Sequence, residues 1–204
     1  DADGIGSQLA LAHAFMKINK NVFCVNEEKL LEKYYFLDVD KIILSHKEFT
    51  KLNSIKTIDL FIVVDANTTT RIGPLLQNLS LKAQNLLFID HHPCPKEIAA
   101  LHCINTNSAA TGELVTELIE SLNVKLDIKM SVPLYCSLLV DTSSFRYPTV
   151  TENTHRTASK LIAAGVSACD TYQNIYGHKD ISYFHLVGKV LTNSKYNKSK
   201  NIAY

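Results

Sequence analysis

The chain has 204 residues, 46% hydrophobic and 20% charged, with a formal net charge of +1. That composition fits an ordinary soluble globular protein with one sizeable buried core, or one domain plus a fragment. It gives no bulk attraction for long duplex nucleic acid, and no apolar stretch approaches the roughly 18 residues of a membrane span.

Leu9, Leu11, Ala12, Phe15 and Met16 keep near a helical period, so residues 4–19 are expected to form a helix. Residues 21–25 and 41–44 read as short strands, with helix or turn over 30–37 between them. The apolar run Phe61-Ile62-Val63-Val64 marks a buried strand over 59–64, and Leu86-Leu87-Phe88-Ile89 marks another over 85–89. Residues 69–78 between them start a helix or a loop. A clear amphipathic helix is expected over 109–122, with Leu114, Leu118 and Ile119 on one face and Glu113, Glu117 and Glu120 elsewhere. Residues 128–140 read two ways. Pro133 fits the first turn of a helix, while Leu138-Leu139-Val140 before Asp141 looks like a strand end. A helix over 153–164 stops at Gly165, which suits a C-cap. Residues 192–201 are polar and lysine-rich, like a linker, and 201–204 begin a further strand. Alternating helices and strands argue for an α/β fold with a mainly parallel sheet flanked by helices.

The five cysteines are scattered without a CxxC pair, which argues against a disulfide framework or a zinc knuckle. Free thiols in a reducing cytosol follow, and a cytoplasmic location with no membrane partner.

The informative residues sit at the ends of the apolar runs. Asp65 ends one strand, Asp90-His91-His92 ends the next, and Asp1-Ala2-Asp3 opens the chain. In an open parallel sheet the ligand site lies beyond the carboxyl ends of the strands. One such edge would gather Asp1, Asp3, Asp65, Asp90, His91, His92 and Asp141. Carboxylates crowded together repel unless a cation sits among them, so a site for two metals is expected. Oxygen and imidazole donors suit manganese or magnesium better than thiolate-bound zinc. Two such ions can activate a water and clamp a phosphate.

Each cluster also has a plainer reading. Asp1-Ala2-Asp3-Gly4 suits a tight turn with a helix cap, Gly6-Ser7 being able to open the helix, and Asp65 suits a turn or an N-cap. Asp90-His91-His92 suits a satisfied histidine pair before Pro93. Arg146 suits a surface arginine as well as a bidentate phosphate clamp. Ser108 reads first as the N-cap of the helix over 109–122, whose N-terminus is also a ready anion site. His13 is mid-helix, His46 and His178 lie in polar surroundings, and His102, His155 and His185 have no acidic cluster nearby in sequence, so all six read as surface or satisfied histidines.

Taken together, DADGIGSQLAL at the start, VVDAN around Asp65, Asp90-His91-His92, NSAATGELV around Thr111 and LLVDTSSFRYPTVTENTHRTASKLI around Asp141 resemble the DHH phosphoesterases. The flanking residues look most like their nanoRNase and pAp-phosphatase branch. The resemblance covers residues 1–188 as a Rossmann-like catalytic domain, with 189–204 a linker opening a second domain. It implies one manganese on Asp1 and Asp65 and another on Asp3, Asp65, His91 and Asp141, with magnesium or cobalt as alternatives. His92 would face the substrate phosphate, Asp90 would support the histidines, and Arg146, Ser108 and Thr111 would contact substrate.

The implied activity is hydrolysis of short single-stranded RNA oligonucleotides, extending to 3′-phosphoadenosine 5′-phosphate, by a metal-bridged hydroxide attacking phosphorus. A homodimer is compatible with it. Alternatives are a cyclic-dinucleotide phosphodiesterase, an inorganic pyrophosphatase or an exopolyphosphatase of the same family, and, in another class, a non-catalytic nucleotide sensor. A plain dinucleotide-binding domain is disfavoured for want of a convincing GxGxxG. The family also carries a histidine ligand before the first acid and a glycine-rich GGGH-type motif in its second domain. The chain is therefore expected to be a fragment that binds the first metal poorly, with activity reduced or lost.

Overall fold

The computed structural model describes residues 1–52, 57–94, 100–177 and 179–204. Its strands are short, and the two predicted apolar runs are strands that are half-buried to buried. Strand β1 (Cys24–Asn26) pairs in parallel with β2 (Ile43–Ser45), and β3 (Ile58–Val64), β4 (Ala83–Asp90) and β5 (Leu101–Ile104) form a parallel three-stranded sheet in that order. Parallel neighbours need crossovers. Helix α2 (His46–Thr50) lies between β2 and β3, and α3 (Pro74–Ser80) between β3 and β4. The remaining helices are α1 (Ala2–Lys17), α4 (Thr111–Ser121), α5 (Ile128–Asp141), α6 (Glu152–Ala163), α7 (Ala168–Tyr172) and α8 (Ile181–Asn193). A short antiparallel hairpin, β6 (Tyr196–Asn197) with β7 (Ile202–Ala203), ends the chain. This is the expected α/β fold of parallel sheets flanked by helices. Among the described residues no helix is long and apolar enough to cross a membrane.

Register sets where the chemistry falls. Val64 pairs with Ile89 and Asp90 with Ile104, and the Asp65 amide still donates to the Ile89 carbonyl at 2.9 Å. Asp65 and Asp90 therefore leave the sheet at the same carboxyl edge. The main core lies behind it, where Ile89 meets Ala10, Ala14, Leu114, Val115, Ile119, Met130, Leu134 and Leu138.

Several expectations change. Helix α1 starts at Ala2, two residues early, because Asp1 caps it. Gly6 and Ser7 are therefore inside the helix instead of opening it. Residues 128–141 are helical, so Asp141 ends a helix and not a strand. Asp127 caps that helix, which puts Pro133 in its interior, where it cannot donate to the Lys129 carbonyl. Glu113, expected off the apolar face, is 1% exposed. Helix α4 is covered by α1, α5 and β4, and a carboxylate in its first turn is favoured by the helix dipole. Strand β5 and helices α7 and α8 were not anticipated. Gly165, at φ 110°, does follow the C-cap of α6 as expected. Helix α8 buries none of its residues. His178 lies outside the described residues.

Helices α1 and α5 meet at backbone distance. A Cβ on Gly6 would lie 2.2 Å from the Pro133 carbonyl oxygen and 2.9 Å from its carbon. On helix propensity alone Gly6→Ala should stabilise, by up to about 1 kcal/mol. Because backbone cannot step aside as a side chain can, we expect the opposite sign: a loss of about 1–3 kcal/mol. Urea unfolding of the metal-free protein checks this, and a stabilised Gly6→Ala variant would contradict the close approach.

Candidate metal centre

Four elements deliver acids and imidazoles to one point at the carboxyl edge of the sheet: the first turn of α1 (Asp3), the residue after β3 (Asp65), the end of β4 (Asp90, His91, His92) and the last residue of α5 (Asp141). Two groups of donor atoms result, each with all its atoms within 4.8 Å: Asp65, Asp90, His91 and His92, and Asp3, His91 and Asp141. His91 belongs to both. Its Nε2 lies 2.9 Å from Asp141 Oδ2, 3.6 Å from Asp3 Oδ2 and 3.9 Å from Asp65 Oδ1.

Backbone and side-chain bonds fix the donors. The Asp90 carboxylate is fully buried, and its Oδ1 accepts from the His91 amide (2.8 Å), the His92 amide (3.2 Å) and His92 Nδ1 (2.8 Å). A carbonyl can only accept, so His91 Nδ1, 3.2 Å from the Ser108 carbonyl, carries a proton, and Nε2 is the ring atom turned to the carboxylates, able to bind a cation once its own proton is released. Asp65 adopts φ 58°, a left-handed conformation that aspartate tolerates. Gly4 leaves room for it, since a Cβ there would sit 3.3 Å from Asp65 Oδ2. Asn67 pins the loop after His92 by donating to the His92 and Pro93 carbonyls at 3.3 and 3.0 Å.

Asp3 is also fully buried. Its Oδ2 accepts from the Thr111 amide at 2.8 Å, and its Oδ1 from the Gly112 amide at 3.1 Å and from Ser137 Oγ at 2.6 Å. It thus takes the place expected for Ser108. The N-cap position of α4 is Ala110, with no side-chain cap of its own, and the anion at this helix terminus is the carboxylate of Asp3. Thr111 adds a 3.4 Å contact from Oγ1 to Asp65 Oδ1.

The electrostatics follow from burial and crowding. Burial first, then the Asp3 and Asp141 carboxylates, push Asp65 up to about 7. Burial and Asp141 also raise Asp3, against the bonds from Ser137 and Thr111. Burial alone would lower His91, but the carboxylates of Asp141 and Asp3 outweigh it and push it up to about 9.

These residues fit a divalent cation. His91 Nε2 and Asp90 Oδ2 are buried yet make no hydrogen bond among the described residues. The 2.9 Å approach of Nε2 to Asp141 has the distance of a hydrogen bond without its alignment. Such orphaned buried donor atoms call for a partner. The donor set of carboxylate oxygen and imidazole nitrogen, with no thiolate among the described groups, suits manganese or magnesium.

Other expected site residues stand apart. Asp1 is exposed and its Oδ1 is engaged by the Asp3 and Gly4 amides, so it does not join either donor group. Arg146 is exposed, its Nε and Nη2 donating to the carbonyl and hydroxyl of Ser143 at 2.7 and 2.8 Å. It follows three consecutive left-handed residues, Ser143, Ser144 and Phe145, at φ 48°, 61° and 61°. Sequence reasoning missed Ser7, Ser137, Asn67 and the Gly112 amide. Ser7 lies four residues after Asp3 and Ser137 four before Asp141, the spacing of one helix face, but that signal appears only once both segments are read as helix.

The comparisons with known proteins agree with this geometry. Over 194 residues the chain is 24% identical to the bifunctional oligoribonuclease and PAP phosphatase NrnA of Thermus thermophilus, covering 94% of this chain and 55% of that protein. The protein of the same name from Bacillus subtilis is 28% identical over 186 residues, covering 88% of this chain and 55% of its own length. An exopolyphosphatase-related protein from Bacteroides fragilis superposes with a TM-score of 0.91 at 25% identity, over all of this chain and 61% of the other. The chain thus spans little more than half the length of these relatives. Residues 1–142 match the N-terminal domain of the DHH family, and that stretch carries the Asp90-His91-His92 triplet and every carboxylate gathered around it. The chain belongs to the DHH family.

Proposed function

We propose that this protein is a manganese-dependent phosphohydrolase that degrades short RNA oligonucleotides and dephosphorylates 3′-phosphoadenosine 5′-phosphate, acting in the cytoplasm. The observation that carries the reading is the convergence of Asp3, Asp65 and Asp141 on a buried His91 Nε2 that has no hydrogen-bond partner. The names of the Thermus and Bacillus relatives supply the substrate class. The five free cysteines accord with a reducing compartment.

Asp3, Asp65, His91 and Asp141 would hold one metal; a second, on Asp65 and Asp1, would have to use Asp1 Oδ2, because its Oδ1 is taken by the Asp3 and Gly4 amides. When bound, the metals supply an activated water and neutralise charge on the phosphoryl oxygens. The chain's own residues do the rest. Asp90 keeps a proton on His92 Nδ1 and so fixes the tautomer of a ring that is 39% exposed. His92 is thereby oriented toward an incoming phosphate, where it stabilises charge. Arg146 uses two donors to grip Ser143 and keeps the rest of its guanidinium free for a phosphate oxygen. The left-handed turn before it costs on the order of 1–3 kcal/mol per residue, and strain of that kind is typical of functional segments. Ser108 contributes through its carbonyl, which orients His91, and Thr111 through its hydroxyl at Asp65.

A second reading, cleavage of polyphosphate, is favoured by the close superposition on the exopolyphosphatase-related protein. One assay on the intact protein with manganese separates the two. A 5′-phosphorylated RNA dinucleotide, pAp, cyclic di-AMP, pyrophosphate and polyphosphate are supplied in parallel. Turnover of the dinucleotide and pAp supports the proposal, turnover of polyphosphate alone supports the second reading, and tight nucleotide binding without product identifies a sensor.

Asp65→Asn should lower manganese-dependent turnover on the order of a thousandfold, as expected for several kcal/mol of lost charge stabilisation. Wild-type rates in that variant would sink the mechanism.

Metal binding competes with protons. His91, raised to about 9, and Asp65, raised to about 7, must release protons to bind a cation. Manganese affinity measured by calorimetric titration should therefore rise from pH 6 to pH 9, and a flat profile would count against the site.

Stability of the metal-free protein has the opposite slope. The folded pKa of Asp65 lies above its unfolded value, so the native state holds the extra proton and loses stability as pH rises toward about 7. Metal-free Asp65→Asn should melt above wild type at pH 8, with the gap closing toward pH 4. A gap that does not change with pH would mean that Asp65 is neither desolvated by burial nor crowded by the other carboxylates.

A further inference from the structure

Helices α1, α4 and α5 meet at one side chain, Ser137. Its Oγ accepts from the Gly112 amide at 3.1 Å, so its single hydrogen is directed to Asp3 Oδ1 at 2.6 Å. That is the shortest bond Asp3 receives; Gly112 and Ser7 reach the same oxygen at 3.1 and 3.4 Å. The space around Ser137 is cut to fit it. A Cβ on Gly112 would lie 2.1 Å from Ser137 Oγ and 2.8 Å from its Cβ, and a Cβ on Gly6 would lie 3.5 Å from the Ser137 Cβ. Gly112 is the residue that admits this hydroxyl, while Gly6 makes room for the backbone beside it at Pro133.

Ser137 also stands one helical turn before Asp141, on the same face of α5. The helix that carries one carboxylate to His91 Nε2 therefore also holds the other. Asp141 Oδ2 lies 2.9 Å and Asp3 Oδ2 3.6 Å from that nitrogen. With Oδ1 of Asp3 held inward by Ser137, Oδ2 is the oxygen left facing His91.

We propose that Ser137 is a positioning residue of the metal centre, which fixes the Asp3 carboxylate relative to Asp141 so that both can bind one cation. This rests on the reading of the site as a metal centre. Partners behind metal ligands of this kind typically contribute about 10–100-fold in affinity. The competing account is that Ser137 is only a small buried residue at a tight junction. Helix α5 supplies its own control for that account, because Ser131 is equally buried yet its Oγ has no hydrogen-bond partner.

The test is manganese titration by calorimetry on the intact protein, with the melting temperature of each metal-free variant measured alongside. Neither readout needs a substrate. Ser137→Ala should weaken manganese binding about 10–100-fold, and Ser131→Ala should leave it at the wild-type value. Ser137→Cys leaves no cavity, since sulfur is larger than oxygen, and offers only a weak donor, so it should bind as weakly as Ser137→Ala, which separates the hydrogen bond from a cavity effect. The proposal is overturned if Ser137→Ala and Ser131→Ala bind manganese equally, or if Ser137→Cys binds like wild type. A wild-type protein that takes up no manganese would overturn the metal-centre reading itself, and this inference with it. That failure is distinct from one in which wild type binds and Ser137→Ala binds as well.

Discussion

The burial of one ionisable carboxylate organises this structure. Asp3 sits fully buried at the N-terminus of α4, taking two backbone amides there and a hydroxyl from α5 while itself belonging to α1. A buried charge without partners would be costly. Here the orphan amides of one helix and the anion of another satisfy each other, and that exchange fixes how three helices meet. Close packing follows from it. Gly6 lets α1 onto the backbone of α5, and Gly112 lets α4 onto Ser137.

The same arrangement explains why the centre stays energetically unsettled without a cation. Asp3, Asp65 and Asp141 all approach His91 Nε2, and Asp90 lies close behind. Burial and mutual repulsion push Asp65 and Asp3 up, while the carboxylates push His91 up. In such a cluster protons stand in for metal, one positive charge at a time. Stability is given up locally for a function, and the loss is borne by a core in which α1, α4 and α5 enclose Ile89 with Leu114, Ile119, Leu134 and Leu138.

The parts of the fold that could be read from the sequence are those with a strong local pattern. Strands β3 and β4 each contain a continuous apolar run, and α4 and α6 show helical periodicity with clear ends. Strand β5, Leu-His-Cys-Ile, is four residues long and mostly exposed, too short to carry a pattern. Helix α5 is apolar nearly all round because it is buried nearly all round, so periodicity alone could not tell it from a strand. Pro133 then misplaced its start. The capping roles went astray for a different reason. Ser108 has the right chemistry and sequence position for α4, but a carboxylate 108 residues away occupies the amides instead.

The site divides along the same line. Asp90, His91 and His92 are contiguous, and one oxygen of Asp90 accepts from both following amides and from the His92 ring. That unit assembles from a strand end and a turn with no distant partner, so it stands out in the chain as three letters. Asp65 needs only the next strand, since its amide bonds Ile89. Asp3, Ser137 and Asp141 acquire their roles only when α1 and α5 pack together across the length of the domain. For these residues local sequence offers an acid in a helix's first turn, a serine in an apolar run and an acid at a helix end, each common for structural reasons alone. How far a side chain's partner lies along the chain therefore sets how much of its role can be read before the fold is known. The metal centre combines both kinds, a local triplet that marks the family and a long-range junction that decides whether the triplet has a geometry in which to work.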